Sequence, residues 1–184
     1  MQLGFFFNQF RCSGCEACML ACRQWHDEDE NAVDRLSVHE LEKGEFPEIS
    51  IKWVFVPCLH CAEPACVAAC PANAISKRAE DGVVAVDEDE CLGREACGAA
   101  CLEACPYDAP RFRDEPDAKM QKCELCLDRL ADGKKPICVV ACPLRALDVA
   151  SLADLESEWG QVKEVEGFEY SAELKPSIVF KPKQ

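Results

Sequence analysis

Positive charge is scarce in this 184-residue chain, where 20 Lys and Arg stand against 34 Asp and Glu, for a net charge of −14 at pH 7. A nucleic-acid surface needs a basic stripe, so the balance argues against that class of partner. Acidity suits a soluble protein partner and says nothing about fold. Long apolar runs are missing too. The longest stretches, Leu3 to Phe7 and Trp53 to Val56, fall far short of a bilayer span. The opening Met1-Gln-Leu-Gly-Phe-Phe-Phe7 has no basic n-region, no long apolar h-region and no twin-arginine pair. Export or membrane attachment is therefore expected only through partners. No nucleophile–base arrangement and no phosphate loop stand out, so no substrate chemistry is expected of the chain itself.

What the chain has in excess is cysteine. Sixteen fall into four groups of four, with none left over. The first is Cys12-x2-Cys15-x2-Cys18-x3-Cys22, and the second is Cys58-x2-Cys61-x4-Cys66-x3-Cys70-Pro71. The third is Cys91-x5-Cys97-x3-Cys101-x3-Cys105-Pro106, and the fourth Cys123-x2-Cys126-x11-Cys138-x3-Cys142-Pro143. An iron–sulfur cubane takes four thiolates, and C-x2-C-x2-C-x3-C-P is how two-cluster ferredoxins supply them. The count predicts four [4Fe-4S] clusters and therefore electron transfer. A disulfide framework belongs to short secreted chains with a leader. Structural zinc uses two C-x2-C pairs per ion without a recurrent x3-C-P ending.

The spacing has a physical basis. A tight C-x2-C-x2-C loop lets three thiolates and several backbone N–H groups converge on one cube, while the fourth cysteine, on the following short helix, serves the neighbouring cluster. Proline then redirects the chain, because it fixes φ and lacks a donor. Crossed ligation assigns Cys58, Cys61 and Cys66 with Cys105, and Cys91, Cys97 and Cys101 with Cys70. It likewise joins Cys12, Cys15 and Cys18 to Cys142, and Cys123, Cys126 and Cys138 to Cys22. The expected fold is α+β, with two interleaved ferredoxin-like lobes of short strands and helices. The outer lobe takes residues 1–49 and 114–150, the inner lobe 50–113, and 151–184 form a C-terminal docking arm. Small lobes held by metal couple folding to cluster insertion, so the metal-free chain is expected to be largely unfolded.

Between the groups, residues 3–10 read as a strand, and Ile49 to Val56 as a second strand that pairs with it. Asp81-Gly82 signals a hairpin turn, and Arg111 to Arg113 a short strand. Asp87 to Glu90 offer a carboxylate cap for a helical turn, and Ser151 caps a helix beginning at Leu152. The acidic run Asp27 to Glu30 reads as a solvated loop and Gly133 to Pro136 as a surface loop. His60 lies between two cysteines. Imidazole can replace thiolate at some clusters, but the cysteine count already closes, so a supporting or packing role is expected. His26 and His39 are expected at the surface, and Trp25 and Trp53 in packing. Lys77, Arg78, Arg94 and Lys122 lie near cluster loops, where they either raise cluster potentials or form ordinary solvated surface.

Several segments resemble the four-cluster subunit of the dimethyl sulfoxide reductase family. They are Arg11-Cys-Ser-Gly-Cys-Glu-Ala-Cys18, Cys58-Leu-His-Cys-Ala-Glu-Pro-Ala-Cys66 and Val86-Asp-Glu-Asp-Glu-Cys91. Cys105-Pro-Tyr-Asp-Ala-Pro110, Lys122-Cys-Glu-Leu-Cys126, Asp132-Gly-Lys-Lys-Pro-Ile-Cys138 and Ala141-Cys-Pro-Leu-Arg-Ala-Leu147 continue the match. The resemblance implies a non-catalytic electron-transfer subunit in an anaerobic respiratory complex. Its partners would be a large subunit with a molybdenum or tungsten bis-pyranopterin and a multi-span membrane subunit that exchanges electrons with quinone. The chain would then lie peripheral to the cytoplasmic membrane. A soluble heterodimeric enzyme of hydroxytransferase or formate dehydrogenase type and a free polyferredoxin remain as alternatives. Group three departs from the family pattern. Arg94 takes the place of the second cysteine, and four extra residues precede Cys105-Pro106. The added cysteine predicts a cubane on Cys91, Cys97 and Cys101, and the alternative is a [3Fe-4S] cluster.

Overall fold

The structure, a computed structural model, describes residues 1–26 and 33–183, so the acidic run at 27–30 lies outside the described residues. The chain opens with β1 (Leu3–Asn8), whose Phe5, Phe6 and Phe7 are all buried. Side chains alternate faces along a strand, so burial of all three requires cover on both sides. Phe5 and Phe7 enter the main core beside Phe55 and Phe180, whereas Phe6 faces Leu155 and Trp159. Each such side chain contributes about 1.5–3 kcal/mol on burial.

The remaining elements follow in order. They are α1 (Ala17–Trp25), β2 (Leu36–Lys43), β3 (Ser50–Pro57), α2 (Ala65–Ala69), β4 (Ile75–Lys77), β5 (Val84–Val86), α3 (Arg94–Cys97) and α4 (Ala100–Glu103). After these come α5 (Leu127–Ala131), α6 (Ile137–Ala141), β6 (Leu147–Ser151), α7 (Leu152–Trp159) and β7 (Ile178–Lys181). β1 is the centre of a three-stranded sheet, antiparallel to β6 and parallel to β7. α7 covers one face, where Trp159 stacks on Phe6 at 4.3 Å between ring centroids. Ser151 caps α7 as expected, its Oγ accepting from the Asp154 N–H at 3.2 Å. Ile178, Val179 and Phe180 are fully buried. The end of the expected docking arm is thus a strand of the body.

One strand pairing differs from expectation. β3 pairs with β2, in register from Leu36↔Pro57 to Lys43↔Ser50, and not with β1. Both edges of β1 are already taken, and β2 lies only a short turn away, which keeps the loop-closure entropy small. Alternation identified β3 as a strand without naming its partner. The Asp81-Gly82 hairpin does form, joining β4 to β5, with Gly82 at φ +73° and Asp81 Oδ1 accepting from the Val83 N–H at 3.0 Å. The strand expected at Arg111 to Arg113 is reduced to one isolated bridge, Arg111↔Gln121. α1 packs on α6 and α2 packs on α4, so cysteine group one meets group four and group two meets group three.

Candidate iron–sulfur sites

Backbone conformation decides where each thiol goes. In the first loop Gly14 adopts φ +67°, and a Cβ there would lie 2.0 Å from the Trp53 indole nitrogen, so only glycine fits. Three groups end in the same turn, Cys-Pro-x-x-Ala: Cys70 to Ala74, Cys105 to Ala109 and Cys142 to Ala146. Their fourth residues, Asn73, Asp108 and Arg145, hold φ +54°, +48° and +50°. Each donates its N–H to the cysteine carbonyl, at 3.2, 3.2 and 3.1 Å. Left-handed backbone at a non-glycine residue costs of order 1–3 kcal/mol, so the turn must hold it in place. Its product is an amide aimed at sulfur. The Ala146 N–H donates to Cys142 Sγ at 3.2 Å, and the amides of Ala109 and Tyr107 bond the Cys105 thiol. In the fourth group the Leu125 N–H reaches Cys123 Sγ at 3.4 Å. Sequence reading missed this turn, although the thrice-repeated C-P-x-x-A spacing carried its signal.

The turns bring thiols from distant groups together. Cys12, Cys15, Cys18 and Cys142 line one cavity walled by Phe7, Val38, Phe55 and Leu147. Cys70, Cys91, Cys97 and Cys101 line another, walled by Ile75, Phe112 and Met120. In the other two sets the thiols are electrostatic neighbours of one another and of the adjoining sets. Burial pushes the Cys61 thiol up to about 12, and Cys58, Cys105 and Cys66 add to the rise. Burial also raises Cys138, with further contributions from Cys126, Cys22 and Cys18. Cys123 is raised by burial and then by Cys138, Cys22 and Cys58. Burial likewise lifts Cys18 and Cys66 to about 12 and Cys101 to about 11. Such thiols hold their protons at neutral pH, so a metal that binds them displaces protons.

These four donor sets fit iron–sulfur cubanes. Each supplies four sulfurs around an apolar space or in a mutual electrostatic group, and each draws on backbone amides. Among the described residues no cluster of three His, Cys, Asp or Glu side chains is arranged to hold a single metal ion. A zinc site would draw its four sulfurs to within about 2.3 Å of one centre.

Group three is irregular in the way its sequence is. Gly98 and Ala99, at φ +64° and +52°, end α3 and restart the chain as α4. Cys97 closes the first helix and buried Cys101 lies in the second, and both line the same cavity. Arg94 does not. It is 47% exposed and pairs with Asp114 at 3.9 Å. Asp87 caps a single helical turn, as expected: its Oδ1 accepts from the Asp89 and Glu90 N–H groups at 3.0 and 3.4 Å, and its carbonyl from the Cys91 N–H at 3.2 Å.

The cations near the loops divide cleanly. Arg78 pairs with Glu80 and Asp81 at the surface, and Arg94 is exposed. Lys77 turns inward and donates to Gln2 Oε1 and the carbonyls of Cys61 and Gly82, at 2.8, 2.8 and 2.9 Å. Lys122 is 1% exposed and donates to the carbonyls of Val84 and Cys123. For Lys122 the surface reading is therefore wrong. His60 is buried as well. Its Nδ1 accepts from the Val84 N–H at 3.0 Å, and its Nε2 has no hydrogen-bond partner among the described residues. Burial, then the charges of Lys122 and Lys77, hold this imidazole neutral. His39 is exposed, as expected of a surface residue. Trp25 is 43% exposed, with its indole N–H on Asp128 at 3.0 Å and Arg129 over its ring.

Comparison with known proteins agrees with this chemistry. Residues 51–152 match a 4Fe-4S dicluster domain family, and residues 11–75 match a second family of the same description. A chain of the anaerobic dimethyl sulfoxide reductase of Escherichia coli is 42% identical over 189 residues, covering 98% of this chain and 89% of that one. A sulfite dehydrogenase subunit of Allochromatium vinosum is 34% identical over 206 residues, covering 100% and 84%. The formate dehydrogenase-O iron–sulfur subunit of Escherichia coli is 32% identical over 151 residues, covering 74% and 49%. This protein belongs to the 4Fe-4S dicluster family, among the electron-transfer subunits of oxidoreductases such as dimethyl sulfoxide reductase.

Proposed function

We propose that this chain carries four [4Fe-4S] clusters and relays electrons between a molybdenum or tungsten bis-pyranopterin catalytic subunit and a quinone-linked membrane subunit. The complex would be an anaerobic respiratory oxidoreductase, with this chain peripheral to the cytoplasmic membrane. Likeness to a chain of the anaerobic dimethyl sulfoxide reductase supports that setting. No described helix is long and apolar enough to cross a membrane, so the attachment would come from the partner.

The observation that carries the relay is the linear order of the thiol sets. Cys12, Cys15, Cys18 and Cys142 hold the first cluster, and Cys22, Cys123, Cys126 and Cys138 the second. Cys58, Cys61, Cys66 and Cys105 hold the third, and Cys70, Cys91, Cys97 and Cys101 the fourth. Cys18 is an electrostatic neighbour of Cys138, Cys58 of Cys123, and Cys101 of Cys66. Each set borders the next, which supports a single line. Contact of α1 with α6 and of α2 with α4 supports two interleaved lobes, outer 1–49 with 114–150 and inner 50–113. Residues 151–183 pack on both lobes, through β7 beside β1 on the outer one and through Leu174, Lys175 and Ser177 bonded to Glu63, Ala62 and Leu59 on the inner one. Cys101 lining the fourth cavity while Arg94 is exposed favours a cubane there over a [3Fe-4S] cluster.

When bound, each cluster takes up and passes on one electron. The chain supplies the rest. Its thiols anchor the cube, Phe7, Phe55, Phe112 and Met120 keep water from the cavities, and amides on sulfur raise the potential. Anaerobic isolation from the native host tests the reading. Co-isolation with a large pterin subunit and a multi-span protein at fixed stoichiometry is expected. A pterin heterodimer without the multi-span protein selects the soluble alternative, and a lone monomer with full cluster content overturns the relay.

A further inference from the structure

Lys122 has a long charged side chain that is almost completely buried, and among the described residues no carboxylate pairs with it. Both its hydrogen bonds go to backbone carbonyls. One belongs to Val84 on β5, in the segment between groups two and three, and the other to Cys123, which opens group four. Arg35 donates to the Lys122 carbonyl at 3.2 Å and so fixes its backbone. A buried cation persists only where an anion compensates it, and carbonyl dipoles alone are a poor substitute. The candidates lie on either side. Cys123 is its sequence neighbour and hydrogen-bond partner. On the other side, the His60 Nδ1 takes the Val84 N–H while Cys58 Sγ lies 3.9 Å away. Val84 thus connects the two sides, giving its carbonyl to Lys122 and its N–H to His60.

We propose that Lys122 is the shared counter-charge of the second and third clusters, positioned between the two lobes to set the potentials at which electrons cross from one to the other. The inference rests on the four-cluster reading. A cube held by four thiolates gains one negative charge on reduction, so a fixed cation favours the reduced form. Because Lys122 borders both sets, it lifts both potentials together and leaves the step between them little changed. Lys77 reaches only the Cys61 side and offers no such coupling. Lys122 is a positioning residue in this sense, since it makes its contacts to backbone and acts through charge.

The test is a potentiometric titration of the intact complex followed by EPR, with signals assigned by one Cys→Ser variant in each set. K122Q keeps a hydrogen-bond donor and removes the charge, whereas K122R keeps the charge. In K122Q the reduced-to-oxidised ratio of the second and third clusters at a fixed potential should fall tenfold or more, about 59 mV for a one-electron couple. The first and fourth should move less than threefold, and K122R should restore all four. Unchanged potentials in K122Q would overturn the proposal, as would an equal shift in all four clusters or a K122R that behaves like K122Q. If K122Q assembles poorly, K122M is the second neutral variant. Clusters lost from both neutral forms but retained in K122R at wild-type potentials support the charge, whereas loss from all three overturns it. The wild-type titration separates the two readings. Fewer than four clusters there fails the relay, while four clusters with unshifted potentials in K122Q fails only the role of Lys122.

Discussion

Replacing Cys22 with Ala is expected to stop electron transfer through the assembled complex while leaving the cluster nearest to it in sequence intact. Cys22 closes group one on α1, yet its electrostatic neighbours are Cys123 and Cys138 of group four. Crossed ligation therefore predicts that the variant loses the second cluster and keeps the one held by Cys12, Cys15, Cys18 and Cys142. The second set is the link between Cys18 and Cys58 in the line, so its loss interrupts the relay at an internal point. Quinol-dependent turnover should fall by more than about 100-fold, beyond the range typical of residues that merely support a metal ligand. EPR of the reduced complex should show one signal missing and the remainder near their original potentials. Loss of the first cluster instead would refute the crossed assignment.

Removing the clusters should unfold most of the chain. Among the described residues the longest helices, α1 and α7, have nine and eight residues, and the others have four or five. Isolated helices shorter than about 12–15 residues are marginal in water, so these depend on tertiary contacts. Many of those contacts are cysteines. Cys22, Cys58, Cys123 and Cys138 belong to the main core, and Cys91 and Cys101 to the second core beside Ile75 and Met120. Net stability of a domain is only about 5–15 kcal/mol, and one structural metal can supply about 10–16 kcal/mol. Chelation of iron under anaerobic, reducing conditions should abolish the cooperative thermal transition and most of the helical circular dichroism. The three-stranded sheet around β1, one face of which packs on α7 away from the cysteines, should be the last part to lose hydrogen-exchange protection. A metal-free chain with an unchanged transition would contradict the coupling of folding to cluster binding.

Local rules were legible where the chemistry is local. Cysteine spacing marked the four groups because three of the four thiolates on a cube come from one segment, while the fourth comes from a partner group. Asp81-Gly82 marked a hairpin because it needs a positive φ, and Ser151 marked a cap because its hydroxyl can meet the Asp154 amide. Long-range choices were not legible. The alternating pattern of β3 is equally compatible with β1 or β2, and only the occupation of both edges of β1 by β6 and β7 decides between them. Lys122 stayed open between the two readings because lysine is rarely buried and one of its two partners, the Val84 carbonyl, lies far away in sequence. Asn73, Asp108 and Arg145 share a left-handed turn that no single propensity predicts for arginine. The place of Cys101 beside Cys91 and Cys97 was legible from the count, but the way Gly98 and Ala99 turn the backbone between two short helices to reach it was not.

The central claim is that sixteen cysteines hold four cubanes in one line. Iron and acid-labile sulfide per chain, measured in the complex isolated anaerobically, test it most directly. About sixteen of each are predicted, with no stoichiometric zinc. About eight irons per chain in protein shown to have lost no cluster, or zinc in place of iron, would contradict it.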